Sequence, residues 1–427
     1  MDLFTHPMRL HADPSRVVVR PFHIAWTRTG PGPSRTERLV GEVLGMSDAE
    51  ARQQLETVLK DFEARHWQTR RVFMTRYDQI EDLMALDGAT IGDEKRQLIG
   101  AYFCHEHSYA AAALMNPSAV PHFDQSGMQA GSLRILMSLR AVGEGHISSI
   151  AFREGIITNK CELILAPEPP FATATDLGTS PDAEDLPEGP VTVHRHRDST
   201  LSGTVMFPIT RAQSKGLEDM RITPFVHDDG EPEWIATYTA YNGSTIQSEL
   251  MRTRDFRAFD LVPMTGAAAR NKGMALFPRR VGGRYMMIGR SDGENLFLLQ
   301  SDDLAHWEDG EMILRPEFGW EFVQIGNCGP PIELDEGWLL LTHGVGAMRK
   351  YSIGAALLDK SDPSKVIGRT REPLLAAKDQ DREGYVPNVV YSCGAVRHGD
   401  RLFLPYGIAD SSVGFAFVPI ADLLAAM

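Results

Sequence analysis

LRILMSLR (133–140), EWIATYTAY (233–241), RYMMIGR (284–290), GWLLLTHG (337–344) and RLFLPYG (401–407) are variants of one pattern. Each is a β-type apolar run that stops abruptly at a polar or aromatic group: Arg140, Tyr241, Arg290, His343 or Tyr406. The runs begin about 50 residues apart, with one gap of about 100, a period that marks a propeller or a repeat array. If the runs are equivalent strands, their polar ends converge at one end of a central channel. The repeat thus predicts fold and site together. A second repeat agrees: TRDFRAF (253–259) and SDDLAHW (301–307) share polar-x-Asp-apolar-x-x-aromatic.

Upstream the pattern is different. VVVRPFHIAW (17–26) reads as one strand. Ser47 with Glu50 three residues on is a capping box, and Ala51, Leu55, Val58, Leu59 and Phe62 follow at helical spacing. Further helices are predicted at 70–86 and 92–103. Residues 1–105 are therefore expected to be a mainly helical extension, a candidate for homo-oligomer contacts. Residues 106–427 are expected to form an all-β catalytic domain of short strands, glycines and turns. The Pro-, Asp- and Thr-rich stretch 166–190 reads as a long surface connection.

The chain has 427 residues and a formal net charge of −14. An acidic surface argues against nucleic acid as a partner, which needs cations to neutralise phosphates. Cys104, Cys161, Cys328 and Cys393 form no CxxC pair, so neither zinc nor a disulfide framework is expected. No apolar stretch is long enough to span a bilayer, and the first residues lack the apolar core of a signal peptide. The expectation is a cytoplasmic protein with no membrane partner.

Several constellations can carry chemistry. SLRAVGEGHISSI (138–150) packs Arg140, Glu144, His146, Ser148 and Ser149 around two glycines; the bland alternative is a solvated hairpin. In GLEDMRIT (216–223) an extended chain points Glu218 and Asp219 to opposite faces. Only one of them then faces a central site, with Arg221 on the Asp219 side to hold it ionised. Arg270, Lys272 and Arg290 make a candidate anion site. His343, Arg349, Lys350 and Tyr351 cluster beside Gly344 and Gly346, and Asp410 follows the last repeat.

These segments, together with NPSAVPHFDQSG (116–127), LFPRRVGGRYMMIGR, WEFVQIGNCGPPI, THGVG, LLDKSDPSKVIGRTREPLL and NVVYSCGAV, resemble glycoside hydrolase family 130, the inverting β-mannoside phosphorylases and β-mannosidases. The resemblance runs in order over about 110–427. It implies a five-bladed β-propeller, in agreement with the five runs. It also implies roles: Asp219 as general acid, acting through a mannose hydroxyl; Arg140 and Asp410 as sugar contacts; and Arg270, Asn271, Arg290 and His343 as ligands of phosphate or of the mannose beside it. Asn116, His146, Arg221 and Tyr241 are further candidate sugar contacts, and Arg349 is a further candidate phosphate ligand. Met220 stands where the family has Pro, and Gln324 where phosphorylases carry Lys in a Lys-Ile-Gly step. Arg349 is the candidate to replace that charge. If the enzyme is a hydrolase, Glu321 is the candidate base.

The activity so implied is inverting phosphorolysis of β-1,2- or β-1,4-linked manno-oligosaccharides to α-D-mannose 1-phosphate. Inorganic phosphate is the co-substrate, and no metal or other cofactor is called for. Two alternatives stand beside it: an inverting exo-β-mannosidase on the same fold, and a non-catalytic glycan-binding propeller. The presence of both Asp219 and Arg221 argues against the last.

Overall fold

The computed structural model describes residues 3–24, 32–177 and 186–427. All five apolar runs are strands: Leu133–Val142, Pro232–Tyr241, Tyr285–Gly289, Trp338–Val345 and Arg401–Ile408. Each is flanked on both sides by antiparallel partners. The first sheet runs Ala113–Pro121, Leu133–Val142, Ser148–Ile157. The second runs Gly216–Val226, Pro232–Tyr241, Ile246–Thr253, Ala258–Pro263. It joins the first where Gly216 pairs with Ser148. The third is built on Tyr285–Gly289 and the fourth on Trp338–Val345. The fifth is built on Arg401–Ile408 and Ser412–Pro419, and takes its outer strand, Phe4–His11, from the far end of the chain.

The runs are mainly apolar because both faces of each strand are buried, as in any sheet covered on two sides. In the first sheet Ile135, Met137, Leu139 and Ala141 enter a core shared with Phe403, Phe415 and Phe417 of the fifth. Leu136, on the other face, enters a core shared with Ile222, Trp234 and Met251 of the second. Three more cores lie between second and third, third and fourth, and fourth and fifth sheets. Each fully buried Leu or Phe contributes about 1.5–3 kcal/mol. Backbone bonds from Cys393 N–H to the Pro117 carbonyl (2.8 Å) and from Ala119 N–H to the Gly394 carbonyl (3.2 Å) link fifth sheet to first.

Helices α1 (Arg35–Gly45), α2 (Asp48–Phe62), α3 (Thr69–Met84) and α4 (Asp93–Tyr102) pack around Val40, Val43, Tyr77, Ile80 and Leu98. The Ser47–Glu50 capping box starts α2 as expected, and a second box, Ser34–Glu37, starts α1, which the periodicity did not reveal. The strand expected at 17–26 is Val17–Pro21, paired with Cys104–Ser108; positions 25 and 26 lie outside the described residues. So do 178–185 within the 166–190 connection. The four thiols are unpaired.

Candidate active site

The first strands of the first two sheets carry matching irregularities. Pairing slips between Met115 and Ser118 in one, and between Glu218 and Arg221 in the other. Each slip holds a residue in the left-handed region, Asn116 (φ 49°) and Asp219 (φ 54°). A bulge of this kind re-aims a side chain, and the two that are re-aimed meet: the Asn116 amide donates to Asp219 Oδ1 at 2.7 Å. The same bulge removes the expected alternation. Arg140 donates to Glu218 at 2.6 Å and to Asp219 at 3.3 Å, so both carboxylates lie on one guanidinium. The Arg140 Nε–H is taken by Ser148 Oγ at 3.0 Å. Arg221, almost wholly buried, donates to the Asp219 backbone carbonyl at 2.9 Å and to the Tyr391 hydroxyl at 2.6 Å.

Asp219, Arg221, Lys272, Gly273, Arg290, Gly326, Asn327, His343 and Tyr391 line one narrow cavity. Asp219 is the one carboxylate among these described lining residues, against three cationic side chains. Burial opposes its ionisation, but Arg140, Arg221, Lys272 and the Asn116 amide outweigh that and hold it down to about 2. Asp410 behaves oppositely: burial and the charge on Asp219 push it up to about 6, against Arg140, Arg349 and Lys272. Asp219 therefore stays ionised at mildly acidic pH, where Asp410 takes up a proton.

His343, expected as a phosphate ligand, lines the cavity as a neutral donor–acceptor rather than as a cation. Burial and the nearby Arg290 push its imidazole down to about 3. Its Nδ1 lies 3.2 Å from the Asn327 carbonyl, which can only accept, so Nδ1 carries the proton and Nε2 keeps a lone pair. Tyr391 is tilted against the ring at 4.7 Å and Tyr351 is stacked at 5.8 Å. Gly326 closes the other side: a methyl group there would lie 2.1 Å from His343 Cε1.

The remaining candidates divide. Arg290 lines the cavity, and its buried Nε has no partner. Arg270 ends a 3-10 turn with its side chain exposed, and the Asn271 amide turns to the Ser291 carbonyl at 3.2 Å. Lys272 takes the place beside the cavity. His146 and Arg349 stand exposed on hairpin tips, the former 6.4 Å from the Tyr385 ring. The Tyr241 hydroxyl is spent on Gly243 O at 3.0 Å. Glu321 is fully buried, tied to the Glu317 and Phe318 N–H groups (3.0 Å each) and to Arg369 at 2.7 Å. It locks a turn rather than facing the cavity. Gln324 starts the strand that leads to Gly326 and Asn327.

Residues 184–427 match a family model described as beta-1,4-mannooligosaccharide phosphorylase, glycoside hydrolase family 130. The chain belongs to this family. Among family 130 relatives, a 1,2-beta-oligomannan phosphorylase from Thermoanaerobacter sp. (strain X514) is 41% identical over 155 residues, 36% of this chain and 52% of the relative. A beta-1,2-mannobiose phosphorylase from Listeria innocua is 30% identical over 226 residues, 51% of this chain and 62% of the relative. The chain thus spans little more than half the length of these curated relatives. The solved structure of the Listeria innocua enzyme with beta-1,2-mannobiose superposes with a TM-score of 0.50 at 23% identity. It covers 74% of this chain and 92% of that one, a likeness of fold.

Sequence reasoning passed over Asn327, Gly326 and Tyr391. All three lie on the first strands of their sheets, inside motifs quoted for the family resemblance.

Proposed function

We propose that this protein is an inverting β-mannoside phosphorylase that converts β-1,2- or β-1,4-linked manno-oligosaccharides and inorganic phosphate to α-D-mannose 1-phosphate and a shortened acceptor. The observation that carries this reading is the cavity lining: one carboxylate facing Arg221, Lys272 and Arg290. An inverting hydrolase needs a second carboxylate across the sugar to activate water. In phosphorolysis the dianion supplies the nucleophile, and cations must hold it. The names of the relatives support the same reaction.

In this reading a phosphate oxygen bonds to the anomeric carbon from the face opposite the glycosidic oxygen, which leaves with a proton. Arg290 and Lys272 hold the phosphate, and the bare Nε2 of His343 accepts from a hydroxyl of the phosphate or the sugar. Asp219 is ionised in the free protein, so it must gain its proton as the complex forms. Anion binding beside it and exclusion of water both favour that gain. Asn116 and Arg140 hold its carboxyl in place, and delivery through a mannose hydroxyl fits a group so enclosed.

The cyclic order of the five cores supports a five-bladed propeller, with Phe4–His11 completing the last blade and α1–α4 forming an added layer suited to self-association. A cytoplasmic setting fits a product that is useful only if retained. The test is incubation with each mannobiose with and without phosphate. Mannose 1-phosphate formed only with phosphate supports the reading; equal release of free mannose in both supports the hydrolase instead.

A further inference from the structure

Two hairpins in this chain are near copies. Val142–Ser148 in the first sheet and Val345–Ser352 in the fourth both enter through a glycine with extended backbone, Gly143 (φ −106°) and Gly346 (φ −102°). Both then carry two successive left-handed residues: Gly145 (66°) and His146 (58°) in one, Met348 (56°) and Arg349 (55°) in the other. The first copy uses glycine where the backbone asks for it. The second puts a methionine there, and that side chain is 91% exposed. An apolar residue that is both strained and solvated gains nothing from folding, and such violations concentrate at functional surfaces.

The surroundings give it a use. On one face of strand Trp338–Val345 His343 reaches the catalytic cavity; on the other, Gly344 lies under the Trp320 ring, which also rests on Gly354. The Trp320 ring lines a second, open groove with Phe318, Lys350, Ser352, Arg371 and Glu372. Phe322 and Val323, 67% and 59% exposed, follow Trp320, and Val323 N–H bonds to the Val345 carbonyl at the base of the hairpin. The hairpin thus connects the strand whose His343 lines the cavity to Lys350 and Ser352, which line the groove. An aromatic face flanked by hydroxyl, ammonium, guanidinium and carboxylate groups is suited to a carbohydrate, which offers apolar C–H faces and a rim of hydroxyls.

We propose that the groove floored by Trp320, reached over the Met348 hairpin, binds the distal sugars of a β-linked manno-oligosaccharide whose terminal residue occupies the cavity. The idea rests on the phosphorylase reading for its choice of sugar, but concerns binding and chain length rather than bond cleavage. Met348 and Arg371 are the specificity-determining residues.

Calorimetric titration with mannobiose and mannotetraose reads the groove whether or not the bond is broken. The wild-type protein is expected to bind the tetraose about tenfold more tightly, a gain of about 1.4 kcal/mol. Met348→Gly and Arg371→Ala are each expected to lose most of that gain, leave mannobiose affinity within about twofold and keep the melting temperature at or above the wild-type value. Equal affinity for both lengths in the wild type, or an unchanged length preference in both variants, overturns the proposal. Phosphate-dependent turnover, measured alongside, tests the reaction separately: its absence with length-dependent binding intact sinks the phosphorylase reading and leaves the groove.

Discussion

Asp219 shows how a single backbone irregularity makes a site. Its left-handed φ turns the carboxyl toward Asn116 and Arg140 instead of along the strand. Asp219→Asn is expected to cut kcat by at least about 100-fold, the typical contribution of a proton-transfer group, with the fold retained because Glu218 still holds Arg140. Asp410 gives a pH signature. Its folded pKa of about 6 lies above the ordinary carboxylate value. It therefore favours the folded state most at low pH, and that contribution is lost as pH rises through about 6. Asp410→Asn should abolish this slope and be more stable than wild type at pH 8 by up to about 3 kcal/mol, as read by denaturant titration at pH 5 and 8. Gly326→Ala forces a methyl into the His343 ring; kcat/KM should fall more than tenfold, by displacement of an imidazole that no ion pair holds, about 1.4 kcal/mol or more. At this scale the sequence was partly legible. Arg270, Lys272 and Arg290 were recognised as an anion set, and two of the three line the cavity. Arg270 ends a 3-10 turn and stands exposed, outside the cavity lining. His343 is found by position, but its charge depends on burial and on Arg290, which are long-range facts.

Among the elements, the second strand of every sheet was readable and the first was not. The second strands are mainly apolar runs of five to ten residues with regular pairing, buried on both faces. Two of the first strands are interrupted where the chemistry sits, at Asn116-Pro117 and at Asp219, so their periodicity fails where it matters. The same conflict of local rule with function hid Asn327 and Tyr391. In the helical layer three of the four helices followed from spacing and one cap. The α1 helix was missed although Ser34-x-x-Glu37 repeats the signal seen at Ser47. The packing of α3 on α4 depends on a close approach the sequence does not announce: a methyl at Gly100 would lie 1.9 Å from the Phe73 carbonyl oxygen. Gly100→Ala should separate α3 from α4 and cost about 1–3 kcal/mol, visible as a lower melting temperature with mannoside turnover per folded molecule unchanged.

For the whole molecule, the ring order of the five cores links both ends of the chain, since Phe4–His11 pairs with Ser412–Pro419. No helix among the described residues is long and apolar enough to cross a membrane. First strands of the second, fourth and fifth sheets meet at one cavity, which no single stretch of sequence could show. What the cavity then does depends on its charge: three cations, one ionised carboxylate and a neutral imidazole favour a bound dianion over an activated water. The direct measurement is product analysis after incubation with β-1,2- and β-1,4-mannobiose in buffers with and without inorganic phosphate. The account predicts α-mannose 1-phosphate from one of the two, formed only when phosphate is present. Free mannose released at the same rate without phosphate would contradict it.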